Sequence, residues 1–171
     1  MEPQLASTTT PLIAALLKQE QALVLPAFDE TAAYDIGTAI RAVAAAREAP
    51  VVIDIRTASR RLYFSALPGA TPENEDWARR KGNTVLRCHA SSLRVGAQLA
   101  AKGQQAWPDA ALDPKDFTDH GGAFPVTVKG SGIVAVVAVS GLPSRDDHEM
   151  ITAELAKRLG LKGLELDTLS R

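Results

Sequence analysis

Apolar residues along the chain change period several times, and each change marks an element. Leu12, Ile13, Leu16 and Leu17 fall at helical spacing behind Thr10 and Pro11, an N-cap and first-turn proline pair. The short apolar piece ALVLPAF (22–28) reads as a strand with Pro26 near its end. Asp29 then caps a helix whose apolar face runs Ala32, Ala33, Ile36, Ala39, Ile40 and Val43, in steps of three and four. Pro50 ends that helix. VVIDIR (51–56) and RLYFSAL (61–67) come next as strands, and the joint TASR is short enough for a hairpin.

Thr71 and Pro72 open a long helical region over roughly 72–102, with Glu73 and Glu75 favouring its start. Gly82 weakens it, Ser91-Ser92 is a point of breakage, and Gly103 is a stop. Residues 104–120 hold two prolines and little periodicity, and read as loop. Two strands, AFPVTVK and GIVAVVAVS, come next, joined by a Gly-Ser-Gly turn. Ser144 is expected to cap a last helix, with Asp147 completing a capping-box pair. The order is α-β-α-β-β-α-α-β-β-α. Two hairpins imply a largely antiparallel sheet, so the expected class is α+β with about five strands flanked by helices.

Composition narrows the functions. The chain has 171 residues, enough for one domain with a sizeable core, and no internal repeat or linker divides it. A single domain over 1–171 is expected, with residues 1–8 disordered. A net charge of −1 offers no broad footprint for nucleic acid, and 5% aromatic residues leave little for base stacking. The lone cysteine, Cys88, rules out an intrachain disulfide and fits a reducing compartment. The start of the chain lacks a secretory-signal pattern, and no apolar run has the length of a membrane span. A cytoplasmic protein without membrane or nucleic-acid partners is expected.

Candidate chemistry gathers in DHGGAFPV (119–126). Gly121 and Gly122 suit a tight turn into a strand. They also leave room for a ligand to approach the backbone. His120 and His148 each come directly after an aspartate, which can orient an imidazole and raise its basicity, yet two histidines without a third ligand make no zinc motif. His89 lies on a helix and reads as structural. Arg80, Arg87 and Arg94 recur every seven residues, with Asn83 near the same helical face. That stripe is either a solvated face or a clamp for carboxylates. Cys88 reads as a buried helical thiol, not a nucleophile. Gly130-Ser131-Gly132 formally opens a dinucleotide fingerprint, but it leads into a strand where that motif needs a helix. No triad, carboxylate pair or metal cluster stands out.

Three segments together resemble the haem-degrading-domain family, and within it the UPF0303 branch: RKGNTVLRCHASS (80–92), HGGAFPV (120–126) and GLPSRDDHE (141–149). The resemblance covers most of the chain after about residue 20. It implies a profilin-like α/β/α layered fold, which agrees with the element order, and a homo-oligomer. It also makes haem the family-based ligand. On that reading Tyr63, His120 or His148 would supply an axial atom and arginines would pair the propionates. Arg87 and Asn83 are the preferred pair, because they fall within the family-like NTVLR. The expected function is small-molecule binding in a pocket formed by His120, Gly121 and Gly122, with Asn83 and Arg87 nearby and His148 second to them. The alternatives are a haem-degrading enzyme, in which the cofactor supplies the chemistry, and a protein acting through its assembly.

Overall fold

The computed structural model of the chain describes residues 10–166. The expected disorder of residues 1–8 lies outside the described residues. Among the described residues, five helices and five strands run in the derived order: α1 (Pro11–Ala22), β1 (Val24–Leu25), α2 (Glu30–Ala46), β2 (Val52–Arg56), β3 (Arg61–Ala66), α3 (Pro72–Cys88), α4 (Ser92–Ala101), β4 (Ala123–Val128), β5 (Gly132–Ser140) and α5 (Ser144–Leu159). The strands form one sheet, ordered β1-β4-β5-β2-β3.

Both hairpins, β2–β3 and β4–β5, are antiparallel, as is the β2–β5 pairing that joins them. The sheet is nevertheless mixed and not mostly antiparallel as expected, because β1 runs parallel to β4, with Val24 opposite Thr127. A hairpin turn fixes the relative direction of neighbouring strands. No turn links β1 to β4, which are separated by most of the chain. Pairing at β1 stops before Pro26, which has no N–H to offer the ladder.

Alternation along β2 sends its residues to two cores. Ile53 and Ile55 join Val137 and Val139 of β5 beneath Ile36 and Ile40 of α2 and Ile151 and Leu155 of α5. Val52 joins Val136 and Ala138 beneath Ala78 and Val85 of α3. Each fully buried isoleucine contributes about 1.5–3 kcal/mol over an exposed one. Helices thus cover both faces of the sheet, and the Lys81–Asp147 ion pair joins the middle of α3 to the first turn of α5.

The caps explain most boundaries. The Thr10 hydroxyl accepts from the Ile13 amide and Asp29 accepts from the Ala32 amide. The long helical region breaks where His89 takes a left-handed conformation, and Ser91 caps α4 by accepting from the Arg94 amide. Ser144 departs from expectation. Pro143 occupies the N-cap with extended backbone, Ser144 is the first helical residue, and no side-chain bond caps α5. Asp147 instead turns inward, where a buried ammonium is a stronger partner than the Ser144 backbone amide that a capping box would offer.

Candidate functional site

The two glycines of DHGGAFPV are buried, and protein fills the space their missing side chains leave. A Cβ on Gly121 would lie 2.7 Å from Leu93 Cδ1 and 2.9 Å from the Ser144 carbonyl. Gly122, at φ +123°, has Lys81 Nζ, the Val139 carbonyl and Asp147 Cβ where a Cβ would stand. His120 is exposed. Its ring stacks on Trp77 of α3, centroids 5.0 Å apart and planes 25° apart.

Beside this pair opens a cleft of about 200 Å³. Asn74, Trp77 and Lys81 line it from α3, His120 from the loop before β4, Ser140 from the end of β5, Gly141 and Leu142 from the loop that follows, and Ser144 and Asp147 from the start of α5. Its floor holds a buried ion pair. Lys81 Nζ donates to Asp147 Oδ2 at 2.9 Å and to the Val139 carbonyl at 3.1 Å. Asp147 also accepts from the amides of Leu142 at 3.0 Å and Gly141 at 3.4 Å. Burial pushes the Lys81 ammonium below its ordinary pKa and the Asp147 carboxyl above its own, and in each case the partner's charge opposes the shift. A larger groove of about 440 Å³ lies along α5, lined by Val43, Met150, Ala153 and Leu161 among others, and none of the candidate residues lines it.

The other candidates lie elsewhere. Asn83 Nδ2 donates to the Asp116 carbonyl at 2.9 Å, and the Arg87 guanidinium sits 5.0 Å over the Phe117 ring, so both hold the 104–120 loop against α3. The arginine stripe dissolves at the His89 break. Arg80 lies 3.9 Å over Trp77 and pairs with Asp76, while Arg94 pairs with Glu20 of α1. His148 is sealed in the core, its Nε2 2.8 Å from Gln19 Oε1 and its ring edge-on to Phe124. Desolvation, with a smaller push from Arg145, lowers its pKa to about 3, so it is neutral near pH 7. Tyr63 packs against Gly37 of α2 and lies edge-on to Tyr34. Cys88, expected to be buried, is exposed at the last residue of α3, next to the left-handed turn. Partial desolvation raises its thiol pKa against the lowering effect of Arg87 and Arg94, which disfavours the thiolate.

Lys81 was not singled out from the sequence, and Asp147 was read as a capping and histidine-orienting group, although the signal for a buried pair is periodic. Ala78, Lys81, Gly82 and Val85 share the buried face of α3, and Asp147, Ile151 and Leu155 share that of α5. A charge at a core position of an amphipathic helix needs a partner.

The family described as haem degrading protein HbpS-like matches residues 28–156. The chain belongs to that family. A UPF0303 protein of Paraburkholderia xenovorans is 46% identical over 142 residues, covering 83% of this chain and 86% of the relative. One from Mesorhizobium japonicum is 46% identical over 156 residues, covering 90% and 93%. Among solved structures, the Ybr137w protein superposes with a TM-score of 0.82 at 26% identity, covering 90% of this chain and 91% of its own. The PduOC:heme complex superposes at 0.63 and 17% identity, covering 78% and 94%, a likeness of fold alone. These relatives confirm the resemblance and the layered α+β fold. No helix among the described residues is long and apolar enough to cross a membrane.

Proposed function

We propose that the chain binds a small molecule in the cleft between α3 and α5, with His120 and Trp77 as one wall and the Lys81–Asp147 pair as the floor. The observation that carries this reading is the exposed His120 imidazole, stacked on Trp77, at the mouth of a cleft floored by a buried ion pair. Convergent polar groups and perturbed titrations in one cleft are what a binding site needs.

Haem is the ligand that family membership favours, and one structural neighbour is a haem complex. The cleft of one protomer does not fit it. About 200 Å³ of mainly polar lining falls short of the roughly 300–1,000 Å³, mostly apolar, of typical cofactor pockets. Of the three axial candidates His148 is sealed and Tyr63 is held under α2, which leaves His120. A haem reading therefore requires a second protomer to close over His120. Edge strand β3 presents Phe64, and neighbouring α2 presents Tyr34, both exposed, which favours self-association.

Haemin titration of the purified protein, with its mass measured by light scattering, tests the haem version. A saturating Soret shift that is lost in His120→Ala supports it. No saturable band, or one unchanged by that substitution, removes it and leaves the small-ligand reading standing. Loss of the Soret band on adding a reductant would favour the enzyme alternative.

A further inference from the structure

We propose that the floor of the cleft selects an oxygen acceptor: Lys81 donates its third N–H to the carbonyl or carboxylate of a small planar guest lying against His120 and Trp77. This rests on the binding reading above and names the class of ligand that site takes.

An ammonium carries three N–H donors. On Lys81 two are taken, by Asp147 Oδ2 at 2.9 Å and by the Val139 carbonyl at 3.1 Å, both walls of the protein itself. Lys81 is 4% exposed and lines the cleft. Its remaining donor, which no protein acceptor among the described residues takes, is left for water or a guest there. The Asp147 side chain is 0% exposed, so it turns no carboxylate oxygen to a cationic guest in the cleft. Oδ2 already receives Lys81 and Gly141, and Oδ1 receives Leu142. The floor thus gives a donor, while its carboxylate is buried and already accepts three N–H groups. Asp147 also offsets the charge of Lys81, so a neutral carbonyl is recognised as well as a carboxylate.

The wall sets the shape of the guest. The exposed His120 ring, backed by Trp77, offers flat surface, and the small volume admits a single ring more readily than a fused system. A site built to hydrogen-bond an oxygen discriminates strongly against an analogue that lacks one, because its own buried group is then left unpaired.

The test uses ¹⁵N-labelled wild-type protein and three ring probes: benzoate, benzamide and benzylamine. Saturable shifts of the His120, Gly141 and Leu142 amides are expected with benzoate and benzamide, and affinity weaker by at least about tenfold with benzylamine. Because benzamide is neutral, general attraction of anions cannot produce that pattern. Benzylamine within threefold of both others overturns the oxygen selection and leaves the cleft as a binding site. No probe moving those amides overturns the binding reading and this inference together. His120→Ala should weaken the oxygen-bearing probes alike and keep the order; a reversed order would also count against Lys81.

Discussion

Gly122 and Lys81 meet where no side chain fits between them: a Cβ on Gly122 would stand 2.6 Å from Lys81 Nζ and 2.6 Å from the Val139 carbonyl. Gly122→Ala must move the amine off Asp147 or move the strand. It also places an L residue at φ +123°, a conformation such residues rarely adopt. Strain of about 1–3 kcal/mol adds to the disturbed pair. The variant should lose at least about 3 kcal/mol in urea denaturation, in the range reported for broken buried pairs. A loss under about 1 kcal/mol would mean that Lys81 gives way freely.

The ion pair itself should behave asymmetrically. Lys81→Met strands a buried carboxylate and Asp147→Leu strands a buried ammonium, so each should cost about 3–5 kcal/mol. The double substitution removes both charges and should cost much less than their sum. A double-mutant cycle on unfolding free energies measures the difference. Additive losses would show that the two groups do not act as a pair.

His148 links stability to pH. Its folded pKa is depressed from the ordinary 6.5 to about 3, so between those values the unfolded chain binds more protons than the folded one. The stability it contributes is complete above pH 6.5 and is lost as pH falls toward 3. The slope reaches about 1.4 kcal/mol per pH unit for this one group. Asp147 titrates with its pKa raised, which acts in the opposite sense at the acidic end. Denaturation midpoints for wild type and His148→Gln from pH 7 to pH 4 separate the two. The variant should show the shallower decline, and parallel curves would contradict the assignment.

Gly37 offers a test of packing against propensity. Alanine in a helix interior gains about 1 kcal/mol over glycine. Here its methyl would enter the space of the Tyr63 ring, so α2 or β3 must shift. Overpacking of that kind costs about 1–3 kcal/mol. Gly37→Ala should therefore lower the melting temperature despite the better helix former. A rise would show that Tyr63 swings aside, as its neighbour Tyr34 is exposed enough to permit.

Much of the fold was legible because its signals are local. Thr10, Asp29 and Ser91 cap the helices they precede, and the two hairpins arise from short turns. The candidate cleft was legible only in part. His120, which lines the cleft, was singled out because it stands beside two glycines. Asn83 and Arg87 were chosen from their segment, yet they face the 104–120 loop, and the left-handed turn at His89 points α4 away from the face they share. His148 looked like a ligand for its chemistry and became core because α1 closes over it through Gln19.

The sequence alone determined the element order and the α+β class, because periodicity, caps and turns act over a few residues. Only tertiary structure decided that β1 runs parallel to β4, and that Lys81 and Asp147, 66 positions apart, share one hydrogen bond. Such contacts depend on how elements stack across the sheet, and no local pattern encodes the partner a buried charge will meet.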